Sequence, residues 1–404
     1  MTLSERFLSY VSYPTMSDET SSTCPSSEKQ LALARRLCDD LLAIGLSDAR
    51  VDMYGYVYAS IEKTADDAPS IGFIAHMDTA GEMPDAPISP RIVRYTGGDI
   101  PLSEDGSITL RDADFPALAG YRGHRLVVTD GQTLLGGDDK AGIAVIMEAL
   151  ARIASGDRPH GRIAVAFTPD EEIGRGTDHF DLDAFGCDYA YTVDGGALGE
   201  LEYENFNAAR ATVSVTGTPI HPGSAKGRMK NAVRIAAELD ALLPPAELPE
   251  LTEGYEGFHH LLSLRGDVAS ATAVYLIRDH DDGKFEEKKE TFRRVAATLN
   301  ERYGRGTVAL EITDSYYNMR RVIDAAPHTV MRARAAMHAM GISPIERPIR
   351  GGTDGAMLSL RGLPCPNLGM GEENPHSAYE FVSLDDMERA VGLLVRIAVG
   401  DGGV

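Results

Sequence analysis

Carboxylates and imidazoles recur at a few well-separated points of this 404-residue sequence. They are His76-Met77-Asp78, Asp138-Asp139-Lys140, Asp170-Glu171-Glu172, Asp194 and His376. The first three follow apolar runs at residues 71–75, 134–137 and 163–167, so they are expected where strands end. In an open α/β sheet the carboxyl ends of the strands are where ligands bind. Imidazole beside carboxylate at such a place suits a divalent transition metal, zinc first, with manganese and cobalt accepting similar ligands. Two histidines and several carboxylates are enough for two ions.

The spacing also restricts what each residue can do. His76 and Asp78 stand two apart, so a continuing strand points both to one face. The imidazole then binds a metal while Asp78 either binds as well or orients the ring. Asp138 follows paired glycines, which leave a carboxylate room to bridge two ions. Glu171 and Glu172 cannot both point one way. One of them can coordinate while the other acts as general base toward metal-bound water. Taken singly, the segments also read as a hydrogen-bonded His–Asp pair, a helix cap or a solvated acidic turn. Their ordered recurrence favours the metal.

A helix is expected over residues 31–46, with strands at 50–57, 70–75 and 125–129. A helix at 140–154 leads to strands at 161–167 and 184–193, the latter ending at Asp194-Gly195-Gly196. This alternation predicts an α/β fold whose largely parallel sheet is covered by helices on both faces. Residues 78–121 read as a long loop rich in Pro, Gly and Asp. Beyond Asn207 come a strand at 209–217, a helix at 230–243 and strands at 261–268 and 272–279. A helix at 283–302 and a strand at 307–313 complete a β-α-β-β-α-β order. Residues 208–320 are therefore expected to be an inserted ferredoxin-like domain, with 1–207 and 321–404 forming the catalytic domain. A helix at 325–340 and the turn at 350–355 return the chain to the latter.

Composition narrows the function classes. The chain is too long for one core, and 43% hydrophobic with 25% charged residues is ordinary for a soluble globular protein. Lys+Arg 39 against Asp+Glu 61 gives a net charge of −22, which repels nucleic acid and anionic membranes. Cys24, Cys38, Cys187 and Cys365 are widely spaced, against a disulfide framework or a thiolate zinc site. The first residues lack a signal-peptide pattern, and no apolar run nears the ~20 residues of a membrane span. The expectation is a cytoplasmic protein with neither nucleic-acid nor membrane partners.

The wording of the segments is more specific. It includes Glu5-Arg6-Phe7-Leu8, Ala75-His76-Met77-Asp78-Thr79, Gly136-Gly137-Asp138-Asp139-Lys140-Ala141-Gly142 and Thr168-Pro169-Asp170-Glu171-Glu172. It continues with Thr192-Val193-Asp194-Gly195-Gly196, Glu204-Asn205-Phe206-Asn207, Tyr316-Tyr317-Asn318-Met319-Arg320 and Arg350-Gly351-Gly352-Thr353-Asp354-Gly355. Nearly end to end, the chain resembles the peptidase T family, the cytoplasmic tripeptide aminopeptidases among the co-catalytic di-zinc exopeptidases.

That resemblance implies two Zn2+ per subunit, with His76 on one zinc, His376 on the other and Asp138 bridging them. It assigns Glu172 and Asp194 as the remaining ligands. Asp78 would hold His76 through its free ring nitrogen, and Glu171 would be the base that activates the zinc-bridged water. The implied substrate is a tripeptide with a free N-terminus, and the implied assembly a homodimer paired through the insert. Family members use a histidine of the insert to stabilise the tetrahedral intermediate, matched here by His221 in Ile220-His221-Pro222-Gly223. Arg278, at the end of a predicted strand, could grip the substrate carboxylate in bidentate fashion. One departure lies at His376-Ser377-Ala378-Tyr379-Glu380-Phe381, where the family often reads His-Gly-x-His-Glu-Phe, so a second histidine is missing. The same scaffold also serves N-acyl amino acid deacylases and carboxypeptidases. A non-catalytic binding protein on it would be expected to lose Glu171 or a ligand, and none is lost.

Overall fold

Ile71–His76, Ile163–Thr168 and Tyr189–Val193 are buried at every position. Strands enclosed on both faces need such continuous apolar runs. In the computed structural model, which describes residues 1–400, these three strands form the centre of a seven-stranded sheet. The order is Arg50–Val51, Val57–Ile61, Ile163–Thr168, Ile71–His76, Tyr189–Val193, Asn367–Leu368, Leu201–Glu202. The three inner pairings are parallel, with Ile71 opposite both Ile163 and Tyr189. The flanking pairings are antiparallel, so the sheet is mixed rather than largely parallel.

Local turn chemistry explains part of that difference. Asp52 Oδ1 accepts from the Tyr54 and Tyr56 N–H groups, and Gly55 takes a φ of 87°. The stretch expected as one strand over 50–57 is therefore a hairpin of two. Asp181 likewise caps a short helix, Leu182–Phe185, so the next strand begins only at Tyr189. The expected loop at 78–121 contains the strand Arg91–Arg94, which joins Arg125–Val128, Phe381–Ser383 and Glu372–Glu373 in a separate four-stranded sheet.

Helix Gly137–Ala154 packs on Ile71–His76, with Leu3–Val11 and Leu384–Val399 against it. The contact is close: a Cβ on Gly142 would collide with the Val193 carbonyl oxygen. A second cluster, including Phe180, Phe185 and Leu358, packs against Ile74, Ala164 and Ala166.

The chain divides into two units. One comprises Met1–Tyr203, Arg321–Arg347 and the chain from Thr353; the other comprises Glu204–Arg320 and Pro348–Gly352. Within the second, four antiparallel strands run in the order Phe258–Gly266, Ser270–Asp279, Asn207–Thr216, Val308–Tyr316. Ala209, Ala211, Val213 and Val215 alternate inward, as a strand with one covered face requires. They meet Ile235 and Leu239 of Ala232–Leu242 and Phe285, Phe292 and Leu299 of Asp282–Tyr303. Among the described residues, no helix is long and apolar enough to cross a membrane.

Candidate active site

The in-register strands Ile71–His76 and Ile163–Thr168 end together, with His76 opposite Thr168. The segments that follow them therefore emerge side by side. Asp78 lies beyond its strand, so the two-residue alternation does not set its direction. Its buried carboxylate accepts from the backbone N–H of Glu171 (3.0 Å, Oδ1) and of Glu172 (3.1 Å, Oδ2). The His76 ring pairs through Nδ1 with the Asp78 carbonyl oxygen at 3.1 Å, and Asp78 Oδ1 lies 3.4 Å away. Asp78 thus holds two site segments, not His76 alone.

Asp138 does not end a strand. It stands near the start of helix Gly137–Ala154, just after Gly136 in left-handed backbone at φ 71°. Its Oδ1 lies 2.8 Å from His76 Nε2, and its Oδ2 lies 3.3 Å from His376 Nε2. One carboxylate therefore faces both imidazoles, with one oxygen for each. Asp194 Oδ1 is 3.7 Å from His76 Nε2, and Glu172 Oε2 is 3.0 Å from His376 Nε2. Two groups of potential ligand atoms result, His76/Asp138/Asp194 and Asp138/Glu172/His376, each with its atoms within 4.8 Å of one another. Glu172 Oε1 is buried with no hydrogen-bond partner, a lone pair left for a cation. The residues present fit two divalent ions sharing Asp138.

Asp139 turns away from this cluster. It accepts from the N–H of His76 and of Gly142, fixing the strand end to the helix start. Asp170 does similar work: Ser26 donates through N (2.7 Å) and Oγ (2.5 Å), and Gln30 through Nε2 (2.7 Å). Asp170, Asn374 and His376 are the non-glycine residues with left-handed backbone among those described. All three lie in the segments carrying Glu171, Glu172 and His376, where strain is tolerated because the surroundings enforce it.

The electrostatics match a cation site. Burial opposes ionisation of Asp138, but hydrogen bonds from His376 and His76 outweigh it and hold the carboxyl well below the usual range. Hydrogen bonds to Asp138 and Glu172 raise His376 to about 11. Burial lowers His76, yet hydrogen bonds to Asp138, Asp194 and Asp78 carry it well above its ordinary value. His376 thus favours its protonated form in the metal-free protein, and an ion bound there would have to displace that proton. Burial pushes Glu172 up to about 7 and Glu171 well above the carboxylate range. Glu171 belongs to neither group of ligand atoms.

His221 and Arg278 belong to the second unit. His221 is exposed at a short turn and accepts from the Gly223 N–H at 3.2 Å. Arg278 is half-buried over the Tyr316 ring at 5.0 Å, and its Nη1 is buried without a hydrogen-bond partner. Sequence reasoning passed over Asp354, buried and accepting from Thr168 Oγ1 at 2.7 Å, and Glu82, whose Oε1 lies 3.4 Å from His376 Nδ1. Glu82 and Glu172 both line a cavity of about 710 Å³ that also meets Met16, Asp18 and Ile173.

A mixed α/β sheet with two His–carboxylate groups gathered beside its parallel strands suits a metal-dependent hydrolase, and comparison with known proteins identifies the family. The chain belongs to peptidase family M20/M25/M40, whose sequence model matches residues 124–399. It is 51% identical to Peptidase T of Geobacillus kaustophilus over 398 residues, covering 98% of this chain and 97% of the relative. To Peptidase T of Bacillus subtilis it is 50% identical over 397 residues, covering 98% and 97%. Its fold is similar to that of an aminopeptidase PepT from Bacillus cereus, with a TM-score of 0.78, 22% identity and coverage of 98% and 97%. It is also similar to a dinuclear metal-binding peptidase of the M20 family from Bacillus subtilis, with a TM-score of 0.64, 13% identity and coverage of 98% and 96%.

Proposed function

We propose that this chain is an aminopeptidase that hydrolyses the first peptide bond of tripeptides and releases the N-terminal residue. The observation that carries the proposal is Asp138, with one oxygen turned to His76 and the other to His376. The near full-length identity to Peptidase T relatives supports the tripeptide as substrate. His76, Asp138 and Asp194 would hold one Zn2+, and Asp138, Glu172 and His376 the other. Bound there, the ions supply Lewis acidity for the scissile carbonyl and lower the pKa of the attacking water.

Glu171 is the general base. Burial raises its carboxyl, which makes it a better proton acceptor, and Asp78 fixes its backbone. It takes the proton of the attacking water and passes it to the departing amine. Arg278, with its unpaired buried Nη1, is the group for the substrate carboxylate, and His221 is a donor to the developing oxyanion. Residues 208–320 are the ferredoxin-like lid and pairing element of a cytoplasmic homodimer without nucleic-acid or membrane partners.

The test follows amine release from an apolar tripeptide and from its N-acetylated twin, before and after chelation and zinc add-back. Cleavage of the free peptide alone, abolished by chelator and restored by zinc, is expected. Cleavage of the acetylated twin would instead indicate a deacylase or carboxypeptidase on this scaffold.

A further inference from the structure

We propose that Glu380 is a positioning residue that sets the bridging geometry of Asp138 by tying its segment to the one that carries His376. The inference rests on the dinuclear site proposed above. The Glu380 side chain is buried, and its two oxygens gather three backbone N–H groups from one short segment. Oε2 accepts from Leu135 and from Gly136, each at 3.0 Å, and Oε1 accepts from Asp138 at 3.1 Å.

These donors surround the start of helix Gly137–Ala154, where N–H groups have no acceptor within the helix and favour a negative charge. The helix has no side-chain cap of its own at Gly136. Glu380, 242 positions away from Asp138, supplies what the local sequence omits.

The same carboxylate stands four residues after His376, and its own N–H donates to Ser377 O at 3.3 Å. Asp138 is thus held at its backbone by Glu380 while its two oxygens face the two imidazoles. A shift of residues 135–138 moves both halves of the bridge together. The packing leaves little slack, since a Cβ on Gly137 would stand 2.5 Å from Val382 Cγ2 and 2.7 Å from Glu380 Oε1. A carboxylate is needed because every group it meets in this segment is a donor. An amide would turn its NH2 toward one of them. Asp78 does the same for the Glu171–Glu172 segment, so a buried carboxylate from a distant segment holds backbone N–H groups in each half of the site, beside the contacts of Asp139 and Asp170.

The test titrates metal-free wild-type, Glu380→Gln and Gly137→Ala proteins with Mn2+, read by calorimetry and by the spin-coupled EPR signal of a bridged ion pair. Gly137→Ala keeps the carboxylate but crowds it, covering the case in which Glu380→Gln does not fold. Leu150→Ala, a core change farther along the same helix, controls for lost stability alone. Both site variants are expected to bind the second ion about 10–100-fold more weakly and to lose the coupled signal, as removal of a ligand's supporting partner does. Leu150→Ala is expected to keep wild-type affinity and signal. The proposal is overturned if either folded site variant binds two ions with wild-type affinity and coupling, or if Leu150→Ala is equally impaired. Wild-type protein that never takes a second ion would overturn the dinuclear site itself, and the proposal with it.

Discussion

Replacing Asp78 with Asn changes one atom at a place where three contacts converge. The carboxylate is fully buried, and its two oxygens hold the N–H groups of Glu171 at 3.0 Å and of Glu172 at 3.1 Å. An Asn there keeps one acceptor and presents an NH2 to the other N–H. A hydrogen bond to a charged group contributes about 1.5–3 kcal/mol, and the lost bond is replaced by a donor facing a donor. Taking about 2 kcal/mol as the cost of holding the base segment in place, kcat falls roughly 30-fold. Because Asp78 Oδ1 also lies 3.4 Å from His76 Nδ1, affinity for the ion on His76 should fall about 10–100-fold. Tripeptide turnover is measured at saturating zinc, so that the loss in kcat is read apart from the loss in affinity. A kcat within about threefold of wild type at full loading would refute the claim that Asp78 positions Glu171.

Glu171→Gln should lower kcat by about 10²–10⁴ while zinc content and KM stay near wild type; loss of zinc would make Glu171 a ligand instead of a base. Metal affinity should rise with pH. His376 keeps its proton up to about 11 in the metal-free protein, so each proton displaced by an ion adds about tenfold in affinity per pH unit. The sign for folding is the opposite: stability that the metal-free protein gains from His376 is complete below its ordinary value and is lost as pH rises through about 11. Titration calorimetry across pH 6–8 reads the first effect, roughly in the range where free imidazole itself titrates. Arg278→Met should raise KM for tripeptides by about tenfold or more with zinc content unchanged; no change in KM would remove Arg278 from substrate binding.

The sequence carried the parts of this site that depend on strand ends. His76 and the Asp170–Glu172 segment follow continuous apolar runs, and those runs became the parallel centre of the sheet. Asp138 followed an apolar run too, but Gly136 in left-handed backbone opens a helix there instead of ending a strand. The antiparallel margins were hidden because their turns depend on single side chains, such as Asp52 accepting from two backbone N–H groups. Asp78 was legible as a partner of His76, but the backbone supports of the site were hidden for a related reason. Asp78 and Glu380 act on backbone N–H groups of distant segments, and a backbone donor leaves no mark on residue type. Only the spacing of Glu380 from His376 was there to be read, and it has meaning only once the turn between them is known.

The central claim is that Asp138 carries two ions at once. Crystals of the zinc-loaded protein, with anomalous scattering recorded at the zinc edge, test it most directly. The expected result is two peaks per chain, one at His76, Asp138 and Asp194 and one at Asp138, Glu172 and His376, about 3.5–4 Å apart. A single peak, or two that do not share Asp138, would contradict it.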